Sequence, residues 1–368
     1  MAEGYSAMRL PRVIGLAIML PGWLALSLPA QASGPSDEAN PAYLFAAAVT
    51  VESVYLLDGG VKTGNRELAN MDLTLALDTA AAGWWENGEW FVYLLGNAGK
   101  NPSDYAGDLQ GISNIATDEA IKIYEFWYQH RFAGDSLKLL FGLHDYNSTF
   151  YALDAAGLFS HPSFGIGPDT SQVGPSIFST TSLALHLTLE SETQYLLAAV
   201  YDGVPGDPNN PRGTHIQFNS GDGTFTALEW GWKPIAGDKV AVGAWQHTAE
   251  VENAVNAAVI DYNSGFYFIA EKNINEVAAV FFQLGRADDE RNQLEYYAGT
   301  GVTFNGFWRD GDGLGLAVAQ ARNGNPYRAM NPAAEREETA WELTYFTPLV
   351  NYLDVQTSVY YIQNPSMD

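Results

Sequence analysis

Ile121-Lys-Ile-Tyr-Glu-Phe-Trp-Tyr-Gln-His-Arg-Phe132, the turn Ala133-Gly134-Asp135, and Ser136-Leu-Lys-Leu-Leu-Phe-Gly-Leu-His-Asp145 together decide the fold. In the return arm Leu137, Leu139, Phe141 and Leu143 share one face, and Lys138, Gly142 and His144 share the other. That is the two-residue period of a strand with one apolar and one wet side. The turn is tight, whereas long polar stretches precede and follow the hairpin, so the two ends of its strands are unlike.

Working outward, the same alternation recurs. Tyr43 to Leu57 and Met71 to Asp78 alternate cleanly, and similar runs lie at 88–97, 121–132, 136–145, 180–190, 193–203, 223–233, 238–248, 262–272, 277–287, 294–304, 313–322, 337–347 and 352–362. Most have about the ten residues that a tilted strand needs to cross a bilayer. The connections sort by length. Those at 58–70, 98–120, 146–179, 204–222, 249–261, 288–293 and 323–336 are mostly long, and those at 79–87, 133–135, 191–192, 234–237, 273–276, 305–312 and 348–351 are short. An up-and-down barrel with short periplasmic turns and longer external loops has this asymmetry, and a soluble sandwich has no reason for it. The reading is an all-β transmembrane up-and-down antiparallel barrel of the outer-membrane type.

The first residues read as a secretory signal, residues 1–32, followed by the barrel over 33–368. Arg9 and Arg12 supply charge, Val13 to Leu28 is apolar, and Ala30-Gln31-Ala32 fits a cleavage site before Ser33. The fifteen runs are one too few for a single-chain bacterial barrel, whose strand number is even because both termini lie on one side. Either a strand is hidden near Thr214 to Asn219 or the chain stops one strand short of sixteen, and the second is the expectation. One short helical turn is expected at Ser148 to Phe159, capped by Asn147 or Ser148.

Composition narrows the function. The 368 residues include 36 Gly and no Cys, with aromatics at 13%, and the formal net charge is -25. Without cysteine there are neither disulfides nor Cys-based metal sites. So acidic a chain lacks the basic face that nucleic acid requires. No metalloprotease helix, phosphate-binding loop or nucleophile elbow occurs, the histidines have no metal-ligand spacing, and no cofactor is expected. Asp310-Gly-Asp312-Gly and Asp288-Asp-Glu290 read as solvated turns. Aromatics near the proposed strand ends, among them Trp84, Trp85, Trp230, Trp232, Tyr296 with Tyr297, Phe307 with Trp308, and Tyr360 with Tyr361, suit interfacial girdles.

Particular letters carry a family resemblance. Gly107-Asp-Leu-Gln-Gly-Ile-Ser-Asn-Ile115, Ile123-Tyr-Glu-Phe-Trp-Tyr-Gln129, Phe141-Gly-Leu-His-Asp-Tyr-Asn147 with Phe150, Pro162-Ser-Phe164 and Gly174-Pro-Ser176 resemble the carbohydrate-selective porin (OprB) family. The resemblance implies a sixteen-stranded outer-membrane barrel that passes sugars by facilitated diffusion, with external loops folded inward. Its partners would then be small sugars, outer-membrane lipid and lipopolysaccharide, in a monomer or a trimer.

With the apolar face toward lipid, Glu125, Trp127, Gln129, Arg131, Lys138 and His144 turn into the lumen, joined by Glu229 and by Asp72, Glu271 and Glu342. Sugar hydroxyls pair with charged and amide groups, and sugar C–H faces stack on rings. The 146–179 connection is too long for a plain link and reads as the constriction. Asp154, His161, Asp169 and Gln172 are its candidates, with Asn147 at the hinge and Lys100, Asp108 and Gln110 on the preceding long loop.

Overall fold

The computed structural model describes residues 13–24 and 41–365. Its strands, in chain order, are β1 (Val13–Leu24), β2 (Tyr43–Asp58), β3 (Gly64–Asp78), β4 (Gly88–Gly99), β5 (Ala120–Phe132), β6 (Leu137–His144), β7 (Ser182–Glu190), β8 (Gln194–Asp202), β9 (Thr224–Trp232), β10 (Lys239–His247), β11 (Val251–Glu252), β12 (Val259–Ile260), β13 (Asn263–Asn273), β14 (Ala278–Ala287), β15 (Leu294–Asn305), β16 (Gly313–Asn323), β17 (Glu337–Val350) and β18 (Leu353–Gln363). β11 and β12 pair only with each other, as a small hairpin in one long loop, and the other sixteen close into a single antiparallel barrel. All fifteen runs read from alternation are strands. The largest boundary difference is at β3, which begins at Gly64 rather than at residue 71, because polar residues on both faces near the rim hide the period.

The sixteenth place in the wall is filled. β1 lies between β2 and β18, antiparallel to both. It is the run read as the apolar core of a signal, and without it the wall has the fifteen strands counted from alternation. An unpaired edge in lipid would strand its N–H and C=O groups, and an extended segment laid along both edges satisfies them. Arg9, Arg12, Ala30-Gln31-Ala32 and Asp368 lie outside the described residues. Residues 214–219 form no strand.

Facing follows the alternation. In β14, Ala279, Phe281, Gln283, Gly285 and Ala287 are buried on the inside, while Phe282 and Leu284 are exposed on the lipid face. Neighbouring aromatics must therefore split between faces. Tyr296 is exposed outside while Tyr297 is buried inside, and Tyr360 is buried likewise, so these inner rings are no part of a girdle. Trp84, Trp85, Trp230, Trp232, Phe307 and Trp308 are exposed, as girdle positions require.

One irregularity positions functional groups. Ile121 and Ile123 face outward, but so does Phe126, because the β4–β5 register shifts at Tyr93/Leu94. The extra residue is a β-bulge, and it turns both Tyr124 and Glu125 inward.

Inner glycines lie beneath large rings. Gly231 is paired with Tyr195, Gly243 with Tyr267 and Gly265 with Trp245. A Cβ on Gly243 would collide with the Tyr267 ring. Gly243→Val is therefore expected to cost about 1–3 kcal/mol by overpacking. The check is the temperature at which the folded form loses its fast electrophoretic mobility.

Candidate pore and its constriction loop

Both long connections after β4 and β6 fold into the barrel, and glutamates on the wall hold them there. Glu125 Oε1 accepts from the Asp145 N–H at 2.7 Å, Glu229 Oε2 from Tyr151 N–H at 2.9 Å, and Glu271 Oε2 from Ala155 N–H at 2.8 Å. Glu342 accepts from the Ser160 and His161 N–H groups at 3.1 and 3.0 Å. Glu338 accepts from the Leu109 and Gln110 N–H groups at 2.8 and 3.0 Å, and Glu52 from the Ser113 hydroxyl at 2.5 Å. A carboxylate has acceptor capacity for several donors, and charge-assisted bonds of this kind are stronger than neutral ones. Loop backbone that would otherwise be orphaned inside the lumen is thus satisfied by the wall.

The 146–179 loop also packs. Tyr146, Phe150, Tyr151, Phe159 and Phe164 join Tyr201, Phe225, Trp245, Tyr267 and Phe281 of the wall in one buried cluster. That side of the lumen is filled by packed side chains. On the loop's other side, Asn114 N–H donates to Ser160 O at 2.9 Å, tying the two loops together. Between them opens a cavity of about 360 Å³ whose lining includes Gln110, Asn114, Asn147, Ser163, Phe164 and Phe178. A second cavity, about 380 Å³, is lined by Glu125, Trp127, Gln129, Lys138, His144 and Lys239, with Phe91 and Trp127 stacked at 4.9 Å. Both volumes lie within the roughly 300–1,000 Å³ range of small-molecule sites.

The chain matches, over residues 62–368, the family described as Carbohydrate-selective porin, OprB family. It belongs to that family. Among solved structures, Pseudomonas putida OprB is 13% identical, with a TM-score of 0.71, 96% of this chain covered and 93% of that one. The outer membrane channel DcaP of Acinetobacter baumannii is 8% identical with a TM-score of 0.51, and 96% of each chain is covered. At such identities these likenesses establish the barrel fold. No curated protein sequence matches. Family and fold are those of a channel, and the protein is a carbohydrate porin of the bacterial outer membrane.

Within this OprB-family barrel the expected site residues divide. Trp127, Gln129, Lys138 and His144 line the second cavity; Lys138 pairs with Glu190 at 3.1 Å, and His144 Nδ1 lies 3.0 Å from the Tyr201 hydroxyl. Gln110, Asn147 and His161 line the cavity between the loops, and Asn147 Nδ2 donates to Phe150 O and Gly165 O, both at 3.1 Å. Arg131 sits near the tight turn, held by Asp78 at 3.4 Å and Asp135 at 3.8 Å, and lines neither cavity. Lys100 and Asp154 are exposed, and Asp108 is buried beside Glu338.

Three of the site-residue expectations are corrected. Glu229 is fully buried and, besides Tyr151, accepts from the Tyr195 and Tyr267 hydroxyls at 2.6 Å each, so it is a fastener and not a lumen surface. Gln172 clamps Leu294, donating to its O at 2.8 Å and accepting from its N–H at 3.0 Å, and so docks the loop on β15. Asp169 is fully buried and accepts from the Tyr151 and Thr170 hydroxyls. The helical turn expected at Ser148 to Phe159 is instead two separate short turns, Tyr146–Ser148 and Asp154–Ala156, the first capped by Asp145. Asp312, in a turn read as solvated, gathers the Trp308 and Arg309 N–H groups.

Asp169 gives the loop a pH dependence. Burial raises its carboxyl from 3.8 to about 7, with the Thr170 and Tyr151 hydroxyls opposing. A folded-state value above the unfolded one favours the acid form in the docked loop. The contribution is therefore complete below about pH 4 and lost as pH rises through about 7. Asp169→Asn is expected to flatten the change in unfolding temperature across that window, measured in detergent.

Proposed function

We propose that the protein conducts small neutral carbohydrates, monosaccharides or short oligosaccharides, passively through a water-filled pore narrowed by the 98–120 and 146–179 loops, with no chemical step and no cofactor. The observation that carries this is the cavity between the two loops, which sets the amides of Gln110, Asn114 and Asn147 against the rings of Phe159, Phe164 and Phe178. Amides donate to and accept from sugar hydroxyls, while ring faces take the sugar's C–H surface. Planar-bilayer current recorded with and without added glucose or maltose tests the reading. A dose-dependent fall in current is expected, and a current indifferent to every sugar counts against it.

Trp127→Ala removes a ring face from the second cavity and is expected to weaken that sugar effect, read as a higher half-blocking concentration. A less selective, cation-preferring porin is the competing reading, and the net charge of -25 favours it. Reversal potential in a salt gradient separates the two.

For the leader, we retain residues 1–32 as a cleaved export signal. The continuous apolar run from Val13 lacks the alternation of a wall strand. The same run cannot be both removed and kept as β1. N-terminal sequencing of the outer-membrane form decides: a start at Ser33 supports cleavage, and an intact Val13 overturns it.

A further inference from the structure

The chain is strongly acidic, yet three of its seven lysines converge on one groove of the lumen. Lys138 and Lys233 meet the two oxygens of Glu190, at 3.1 and 3.8 Å. Lys233 and Lys239 both lie against the Tyr195 ring, their Nζ atoms 4.9 and 5.5 Å from its centre. The three ammonium groups thus form a chain along β6, the end of β9 and the start of β10; Glu190 is the carboxylate ion-pair partner of Lys138 and Lys233 among the described residues, while Lys239, across from Glu271, donates to Ala152 O at 2.6 Å. The other carboxyl in the lining, Glu125, is engaged by the Asp145 N–H.

Two ring nitrogens of the same groove have no hydrogen-bond partner. The Nε1 of Trp127 and the Nε2 of His186 are buried without one, although His186 is only 3% exposed. Unsatisfied buried polar atoms are rare and call for an explanation. A solute bearing hydroxyls and oxygen acceptors supplies one for either tautomer of His186.

Resting on the carbohydrate reading above, we propose that this groove is a subsite for sugars carrying a carboxylate. The acid group replaces part of the Glu190 interaction with the lysines, and the sugar ring lies against the Trp127 and Phe91 faces. A neutral sugar offers nothing that uses three cations. A small carboxylate without a sugar ring has nothing to stack.

The test uses the full chain in proteoliposomes at fixed ionic strength, with uptake of radiolabelled glucuronate, glucose and acetate as the readout. For the native protein, glucuronate uptake relative to both glucose and acetate is expected to exceed that through a general porin. Lys138→Gln/Lys233→Gln/Lys239→Gln is expected to lower the glucuronate-to-glucose ratio about tenfold, as loss of charge-assisted contacts does. Lys233→Gln alone, at the most exposed of the three, tests the same ratio with little risk to folding, and a smaller fall is expected. An unchanged ratio in both variants overturns the subsite. Acetate enhanced as much as glucuronate overturns it too, since the patch then attracts any anion. Glucose uptake without glucuronate uptake overturns this inference and leaves the sugar-porin reading standing, whereas uptake of neither overturns both.

Discussion

Glu229→Ala is expected to open the pore, raising single-channel conductance and abolishing current block by sugars. The Glu229 carboxylate is fully buried at the middle of β9 and gathers three donors: the Tyr151 N–H and the hydroxyls of Tyr195 and Tyr267. Truncation leaves all three without an acceptor, at about 1–3 kcal/mol each. The wall cannot shift to compensate, because Tyr195 and Tyr267 are locked over Gly231 and Gly243. The loop can. Released at Tyr151, it also loses the Lys239 contact to Ala152 O next to it. Glu229→Gln separates charge from geometry. It keeps one acceptor oxygen, so conductance is expected between those of the native and alanine proteins. A Glu229→Ala barrel with native conductance and native sugar block would remove the residue from the loop's anchorage.

The wall was readable from sequence and its fastenings were not, for one physical reason. Lipid on one side and water on the other impose a period of two on every spanning strand, so the signal is local and repeats. Leu137, Leu139, Phe141 and Leu143 report their facing without help from any other segment. A fastening glutamate shows the same local pattern as a lumen-lining one: Glu229 sits between Leu228 and Trp230 as any inward residue does. Only its partner Tyr151, far off in sequence and brought close by the folded loop, makes it structural. Glu338 and Gln110 are farther apart still. The inward turn at Tyr124 and Glu125 did leave a trace, since the outward apolar positions change parity between Ile123 and Phe126. A bulge is the one-residue insertion that produces such a change.

Combining anchor substitutions is expected to reveal which fastenings act on one loop. Glu229 and Glu342 both hold the 146–179 loop, at Tyr151 and at Ser160 with His161. Once either end is free, the loop's remaining docking is weakened, so the second substitution removes less than it does alone. Glu229→Ala with Glu342→Ala is therefore expected to be less than additive in unfolding free energy, with a coupling of about 0.5–3 kcal/mol. Glu338 holds the other loop at Leu109 and Gln110. Its pairing with Glu229→Ala is expected to be additive within about 0.5 kcal/mol, since the two share no partner. Glu338→Ala and Glu342→Ala should couple weakly, through the Asn114 to Ser160 bond that joins the loops. Urea titrations of the barrel in detergent give the three cycles. Full additivity between Glu229 and Glu342 would mean that the loop is held as independent segments, and in that case single anchor losses would open the pore only in part.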